Sequence, residues 1–256
     1  MPRRCRLAQC APEGSWQAPV HQQESGRGVA VDRSRLAILI PAFREAATIG
    51  AVVNAAREYA DVIVVDDASP DETGAEAANA GAIVVRNETN LGYDGTLNRA
   101  FEKAQELGFG FAVTMDADGE HNPALVNAFK MLLMEEAVPL VLGVRPRKQR
   151  FAEIVMGLYV RLRFGVKDIL CGMKGYDMKL VLANGGFDHT NSIGTELAIN
   201  SLRRGIAFRQ IPVSGTQRRD APRFDRRLRA NMRILAALGK IIRSDIRGLL
   251  TSSAIG

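Results

Sequence analysis

From residue 36 onward, short unbroken apolar runs alternate with segments whose apolar residues recur every three or four positions. LAILIP (36–41) has the pattern of a buried strand, and residues 46–60 place Ile49, Val52, Val53 and Ala56 at helical spacing. VIVVDD (62–67) predicts a second strand, ETGAEAANAG (72–81) an Ala-rich helix closed by glycine, and AIVVRN (82–87) a third strand. Leu97, Ala100, Phe101, Ala104 and Leu107 mark a helix over 94–107, and FAVTMD (111–116) follows as a fourth strand. A further helix (123–135) and strand (138–143) complete the run. Apolar strands without alternation, each followed by a helix, imply an α/β fold: a mostly parallel sheet with helices on both faces. Ligands of such sheets bind beyond the carboxyl ends of the strands. Two acidic pairs, Asp66–Asp67 and Asp116 with Asp118, sit at those ends.

Beyond residue 145 the pattern weakens. Val155, Leu158, Tyr159 and Leu162 predict a helix over 153–164, AFRQIPV (207–213) a strand, and residues 226–247 a long amphipathic helix. There is no internal repeat and no Gly/Ser/Pro-rich linker. Three spans are expected: a disordered basic leader (1–34), one α/β domain (35–225), and a basic C-terminal helix (226–256).

Composition narrows this picture. The 256 residues are 46% hydrophobic and 24% charged, as a globular chain should be, and no window approaches the roughly 18 apolar residues of a membrane-spanning helix. Cys5, Cys10 and Cys171 lack zinc-ligand spacing, and three cysteines in a chain this large suit a reducing, cytoplasmic compartment. The net charge of +6 is uneven: residues 216–247 hold ten Arg or Lys against three Asp, so an acidic body carries a basic tail. In that tail Leu228, Met232, Leu235, Leu238 and Ile242 trace an apolar stripe among arginines. It reads either as a helix capping the core or as an interfacial helix on an anionic membrane surface. No aromatic platform interleaves with the arginines, which argues against nucleic acid.

VTMDADGEHNP (113–123) carries the chemistry. A calcium loop starting at Asp116 would want Gly at its sixth position and Glu at its twelfth, where His121 and Asn127 stand. At a strand end, residues i and i+2 share a side, so Asp116 and Asp118 point together, an arrangement that is costly without a cation between them. An Asp-x-Asp pair suits Mg²⁺ or Mn²⁺ held jointly with two phosphate oxygens, and the implied partner is a nucleoside diphosphate.

ILIPAFREAATIG, VIVVDDASPDETG, NLGYDGTLNRAFEKA and MDADGEHNP, in this order, resemble the inverting family 2 glycosyltransferases of the GT-A fold. Within that family the resemblance is to polyprenyl-phosphate sugar synthases and to O-antigen or lipopolysaccharide transferases, and it covers roughly residues 36–225. It implies that Pro41, Phe43 and Glu45 form the edge that packs on the nucleoside, and that Val65 and Asp67 contact base and ribose. Asp116, Ala117 and Asp118 match the metal and diphosphate motif, and Glu120 stands where a metal-touching Gln is common. Arg145 in LGVR, Lys174 in DILCGMKGYDMKL, and Arg219 with Arg223 in the tail are implied at the phosphates. Cys171 replaces a small hydroxyl and reads as buried filler. Glu196 matches an acid that serves some members as general base. The resemblance further implies a nucleotide-sugar donor, a polyprenyl-phosphate or lipid-linked glycan acceptor, and a place at the inner face of the cytoplasmic membrane. A sugar-nucleotide nucleotidyltransferase would want a Gly-rich basic loop after the first strand, which PAFREAATIG lacks. A non-enzymatic module built on the basic tail, binding membrane or nucleic acid, is the remaining alternative.

Overall fold

The strand β1 (Asp32–Ala42), the helix α1 (Ile49–Ala56), β2 (Asp61–Asp66), α2 (Thr73–Asn79) and β3 (Ile83–Arg86) follow the predicted alternation. They belong to a computed structural model that describes residues 31–146, 150–213 and 224–253. Next come α3 (Gly92–Glu106), β4 (Phe109–Thr114) and residues 123–135, which pass from a 3₁₀ turn through α4 (Val126–Lys130) into a π turn rather than forming the single α-helix expected. The rest is β5 (Leu140–Val144), α5 (Phe151–Phe164), β6 (Lys174–Asp177), α6 (Met178–Asn184), α7 (Glu196–Arg203), β7 (Phe208–Pro212) and α8 (Phe224–Ser253).

The sheet runs β3-β2-β1-β4-β6-β5-β7 and is parallel except at β6, which is antiparallel to both neighbours. The chain steps from β1 through β2 to β3 in one direction and then returns to lay β4 on the other side of β1. That reversal opens a crevice between the carboxyl ends of β1 and β4. Strand side chains alternate between two cores. Ala37, Leu39, Ile63 and Val65 pack toward α3, whereas Ile38, Ile40, Val62 and Val64 pack with the apolar residues of α1 and α2. Burial on both faces explains why these strands read as unbroken apolar runs.

β6 is the strand that the pattern did not predict. KGYD offers one strand-forming residue, Tyr176, yet all four residues are buried at the centre of the sheet. Gly175 is needed there, because a side chain would come within 2.9 Å of Phe129 and Leu133. α8 does not present the single stripe expected of it. Ile234, Ala237, Leu238 and Ile241 are buried in the core, while Met232 and Leu235 are exposed. Asp245 fastens the helix, accepting from Arg203 Nε at 2.7 Å and from the Tyr159 hydroxyl. Among the described residues no helix is long and apolar enough to cross a membrane.

Candidate functional site

The crevice holds a cavity of about 360 Å³. Its walls are Pro41, Ala42, Phe43 and Glu45 after β1, Asp67 after β2, Asn90, Gly92, Tyr93 and Thr96 at the head of α3, and Asp116, Ala117 and Asp118 after β4. Phe43 is 41% exposed, with the Arg44 guanidinium 5.2 Å from its ring centre. The loop that carries it is fastened to the β2–α2 connection: Arg44 N–H donates to Ser69 Oγ (3.1 Å) and Glu45 N–H to Thr73 Oγ1 (2.9 Å). An apolar ring is therefore held at the mouth of the crevice by a braced backbone.

The two acids of VVDD diverge, as neighbours on a strand must. Asp66 turns into the fold, where Arg86 pairs with it and Ser69 N–H donates to it. Asp67 turns toward α3. Its carboxylate accepts from Asn87 Nδ2 (2.8 Å), Leu91 N–H (2.7 Å) and Gly92 N–H (2.9 Å), so a buried negative charge sits on the positive end of a 15-residue helix. This explains why α3 starts at Gly92, two residues before the periodicity predicts.

Asp116 and Asp118 leave the end of β4 together. Thr114 Oγ1 donates to Gly172 O (2.6 Å), which draws residues 171–173 beneath the Asp116 carboxylate, and a methyl group on Gly172 would collide with that carboxylate. Asp116 N–H donates to His121 Nδ1 (3.3 Å), and Glu120 N–H donates to Asp118 Oδ1 (3.0 Å). Surrounding protein pushes the Asp116 carboxyl above the usual carboxylate range. Nearby His121 opposes that push, and Asp118 adds to it. No group of three or more His, Cys, Asp and Glu side chains is gathered as a metal cage among the described residues. Two paired carboxylates at a solvent-reached cleft nevertheless fit Mg²⁺ or Mn²⁺, which takes the rest of its shell from water and substrate phosphates.

The other residues singled out from the sequence fall elsewhere. Val65 is wholly buried under α3, so its side chain is closed off from the crevice. Glu120 is half-buried in the turn beyond Asp118 and outside the cavity wall. Arg145 is clamped by Asp168 (Nε–Oδ2 2.7 Å, Nη2–Oδ1 3.1 Å) with Glu153 at 3.6 Å. Lys174 is buried behind the wall, where burial lowers its pKa and its ammonium donates to Gly194 O (3.1 Å). Glu196 accepts from His189 N–H (2.9 Å), meets His189 Nδ1 (3.0 Å) and accepts from the Thr190 hydroxyl (2.7 Å). Burial raises the pKa of Glu196, but these bonds outweigh it and hold the carboxyl below its usual range. Cys171 is buried, with its thiol pushed up to about 11. Arg219 and Arg223 lie outside the described residues.

Sequence reading missed the contribution of α3. Asn90, Tyr93 and Thr96 line the cavity, while Asp94 and Asn98 fasten residues 187–194: Asp94 accepts from Ile193 and Gly194 N–H (3.0 and 2.5 Å), and Asn98 Oδ1 from Phe187 and Asp188 N–H (3.0 and 3.1 Å). Asn191, Ile193 and Gly194 all hold positive φ (52°, 60° and 63°), a strain that those bonds offset. The available signal was Asp94 and Asn98, polar residues four apart on one helix face, with Asn90 a further four residues back, just before the helix begins.

The family described as Glycosyl transferase family 2 matches residues 37–154. The undecaprenyl-phosphate mannosyltransferase of Micrococcus luteus is 28% identical over 209 residues, covering 72% of this chain and 84% of that one. The polyprenol monophosphomannose synthase of Mycolicibacterium smegmatis is 25% identical over 224 residues, covering 77% and 84%. Among solved structures, glucosyl-3-phosphoglycerate synthase of Mycobacterium tuberculosis, crystallised with Mn²⁺ and UDP-glucose, superposes with a TM-score of 0.67 at 23% identity, covering 81% of this chain and 78% of that one.

Proposed function

Because the chain carries a glycosyl transferase family 2 domain in the GT-A fold, and is thereby a glycosyltransferase, we propose that it moves a sugar from a nucleoside diphosphate to a lipid-borne acceptor. The acceptor is a polyprenyl phosphate or a lipid-linked glycan, reached at the inner face of the cytoplasmic membrane. The observation that carries this reading is one crevice lined by an apolar edge, Pro41 and the exposed Phe43, and by the paired carboxylates Asp116 and Asp118. The names of the polyprenyl-phosphate relatives support the acceptor class.

In this reading Pro41 and Phe43 stack on the nucleoside, Glu45 and Asp67 border it, and Asp116 and Asp118 would hold Mg²⁺ or Mn²⁺ against the diphosphate. Glu120 stands one turn residue away, within the same acidic loop. When bound, the cation neutralises charge that develops on the leaving nucleoside diphosphate. Arg145 and Lys174 are held by Asp168 and Gly194 away from the diphosphate, which leaves Arg219 and Arg223 of the basic tail as the cations proposed to meet the phosphates. The acceptor oxygen attacks the anomeric carbon on the face opposite the departing diphosphate, which inverts that carbon. A lipid phosphate arrives already ionised and needs no base, so Glu196 can remain engaged with His189 and Thr190.

A thermal-shift screen of UDP, GDP and dTDP, with and without Mn²⁺, tests this on the wild type and on Asp118→Ala. At a hundred times its Kd a ligand contributes about 2.7 kcal/mol, equivalent to about 5–10 °C in a chain of this size. One nucleotide with Mn²⁺ should give that shift, and Asp118→Ala should abolish it. No shift with any nucleotide, or an unchanged shift in the variant, refutes the reading.

A further inference from the structure

α5 buries Ala152, Met156 and Val160 and turns a second apolar line, Phe151, Ile154, Leu158 and Leu162, to solvent. These four are 71, 54, 59 and 79% exposed, at the positions where a helix covering a core normally carries charge. α8 repeats the arrangement. Beside its buried line it exposes Met232, Leu235 and Ile246, with Gly239 and the half-buried Ile242 between them at the same spacing.

The two helices lie side by side: Ala152 N–H donates to Asn231 Oδ1 (3.4 Å), and the Tyr159 hydroxyl donates to Asp245. Around α8, Asn231 lies between the buried line and the exposed one. Around α5, Val155 and Tyr159 lie between the buried line and the exposed one. Both exposed lines therefore border one seam and form a single outward apolar face.

Every exposed charged side chain described on the two helices is a cation: Arg161, Arg163, Arg233, Lys240 and Arg243. The described acids are engaged within the protein: the buried Glu153 by Arg145 and Arg150, and the half-buried Asp245 by Arg203, by Tyr159 and, at 3.9 Å, by Arg163.

We propose that this α5–α8 face docks the protein on an anionic lipid bilayer, with the apolar lines entering the acyl boundary and the cations at headgroup level. Charge selects this occupant. A second copy seated symmetrically on the same face would bring like cations together, whereas an anionic surface neutralises them. Position agrees with it as well. β5 runs parallel to β4 through the intervening antiparallel β6, so its carboxyl end lies at the sheet edge that holds the crevice. The Arg145–Glu153 pair ties the first turn of α5 to that edge, so Phe151 stands on the same side of the molecule as Asp116. The proposal deepens the reading of a lipid-borne acceptor and rests on that reading for its purpose, although its geometry stands alone. It moves the lipid contact expected of the C-terminal helix onto a surface shared with α5.

Co-sedimentation of the full chain with phosphatidylglycerol or phosphatidylcholine vesicles, beside analytical ultracentrifugation without lipid, tests the proposal on the wild type and on Leu158→Gln/Leu162→Gln. Both leucines are exposed, so the double variant keeps the fold. The wild type should bind the anionic vesicles, with binding about tenfold weaker to phosphatidylcholine and in high salt. The double variant should lose about tenfold in binding to anionic vesicles while remaining as monomeric as the wild type. Absence of wild-type binding, or equal binding by the variant, overturns the proposal. So does a wild-type dimer that the variant dissolves, which would make a second copy the occupant. The UDP and Mn²⁺ thermal shift on both proteins keeps the two readings apart: if it fails in both, the active-site reading falls and the vesicle result still decides the face.

Discussion

Replacing Asp67 by alanine should cost about 3–4 kcal/mol of folding stability, and the structure shows where that loss arises. The side chain is 3% exposed and accepts three hydrogen bonds of 2.7–2.9 Å. Hydrogen bonds to a charged partner contribute about 1.5–3 kcal/mol each, which sets a ceiling well above the expected loss. Two effects lower it: water from the adjacent crevice can reach the abandoned Leu91 and Gly92 N–H groups, and the desolvation cost of a buried carboxylate is recovered. Loss of a cap from a long helix costs about 0.5–2 kcal/mol and the charge–dipole interaction adds up to about 2, a ceiling of about 4 that a carboxylate this buried and this fully bonded should approach. Asp67→Asn keeps a carbonyl oxygen for one donor and should lose about 2 kcal/mol. Urea unfolding with linear extrapolation measures both variants, and hydrogen exchange at residues 91–96 should show the head of α3 opening first. If the alanine variant lies within about 0.5 kcal/mol of wild type, the size of an ordinary surface change, the carboxylate does not anchor α3 and this reasoning is wrong.

Two further outcomes are expected. Gly172→Ala pushes a methyl group into the Asp116 carboxylate, an overpacking worth about 1–3 kcal/mol, and should abolish the Mn²⁺-dependent nucleotide shift in a protein that still melts cooperatively; an undiminished shift would show that Asp116 is free to move away. The Glu196–His189 pair should give a pH-dependent stability of under about 1 kcal/mol, because His189 is largely exposed. Hydrogen bonds to Glu196 raise the His189 pKa, so its contribution is full below its ordinary value of 6.5 and is lost as pH rises through its folded value. Bonds from Thr190 and His189 lower Glu196 despite its partial burial, so its contribution is present above its ordinary 4.5 and is lost as pH falls through its folded value. The Tm difference between wild type and His189→Gln should therefore be greatest near pH 5–6, and a flat difference across pH 4–9 would contradict the pairing.

Legibility in the sequence followed the source of each signal. LAILIP and VIVVDD were legible as strands because burial on both faces removes any need for polar residues, and the chain then writes the element as an unbroken run. Asp116 and Asp118 were legible because two carboxylates one residue apart at a strand end have few structural uses. KGYD was illegible because its burial comes from its neighbours. Lys174 is satisfied by Gly194, which is twenty residues away, and Gly175 by the bulk of Phe129 and Leu133. NLGYDG reads as a turn from its glycines. Its helical start depends on Asp67, and the work of Asp94 depends on residues a hundred positions downstream. In α8 the two apolar lines lie close enough around the helix that periodicity merged Leu238, which faces the core, with Met232, which faces outward.

The electrostatics of the crevice argue that nucleotide and cation enter together. Asp116, Asp118, Glu45 and Asp67 all line the cavity, while no Lys or Arg among the described residues is in its wall: Lys174 is buried against Gly194, Arg145 is clamped by Asp168, and Arg44 stands over the Phe43 ring at the mouth. A bare diphosphate would meet a wall of its own sign. A bare divalent ion would find two carboxylates, with no group of three or more His, Cys, Asp and Glu side chains gathered among the described residues to complete its shell. Each ligand supplies what the other lacks, so their binding free energies should be strongly coupled, and linkage makes that coupling reciprocal. In the proposed reading the two carboxylates would supply part of the cation's ligands and the donor's phosphates would supply others. A wild-type protein that bound UDP equally well with and without Mn²⁺ would break this argument even if the family, the fold and the crevice stood unchanged.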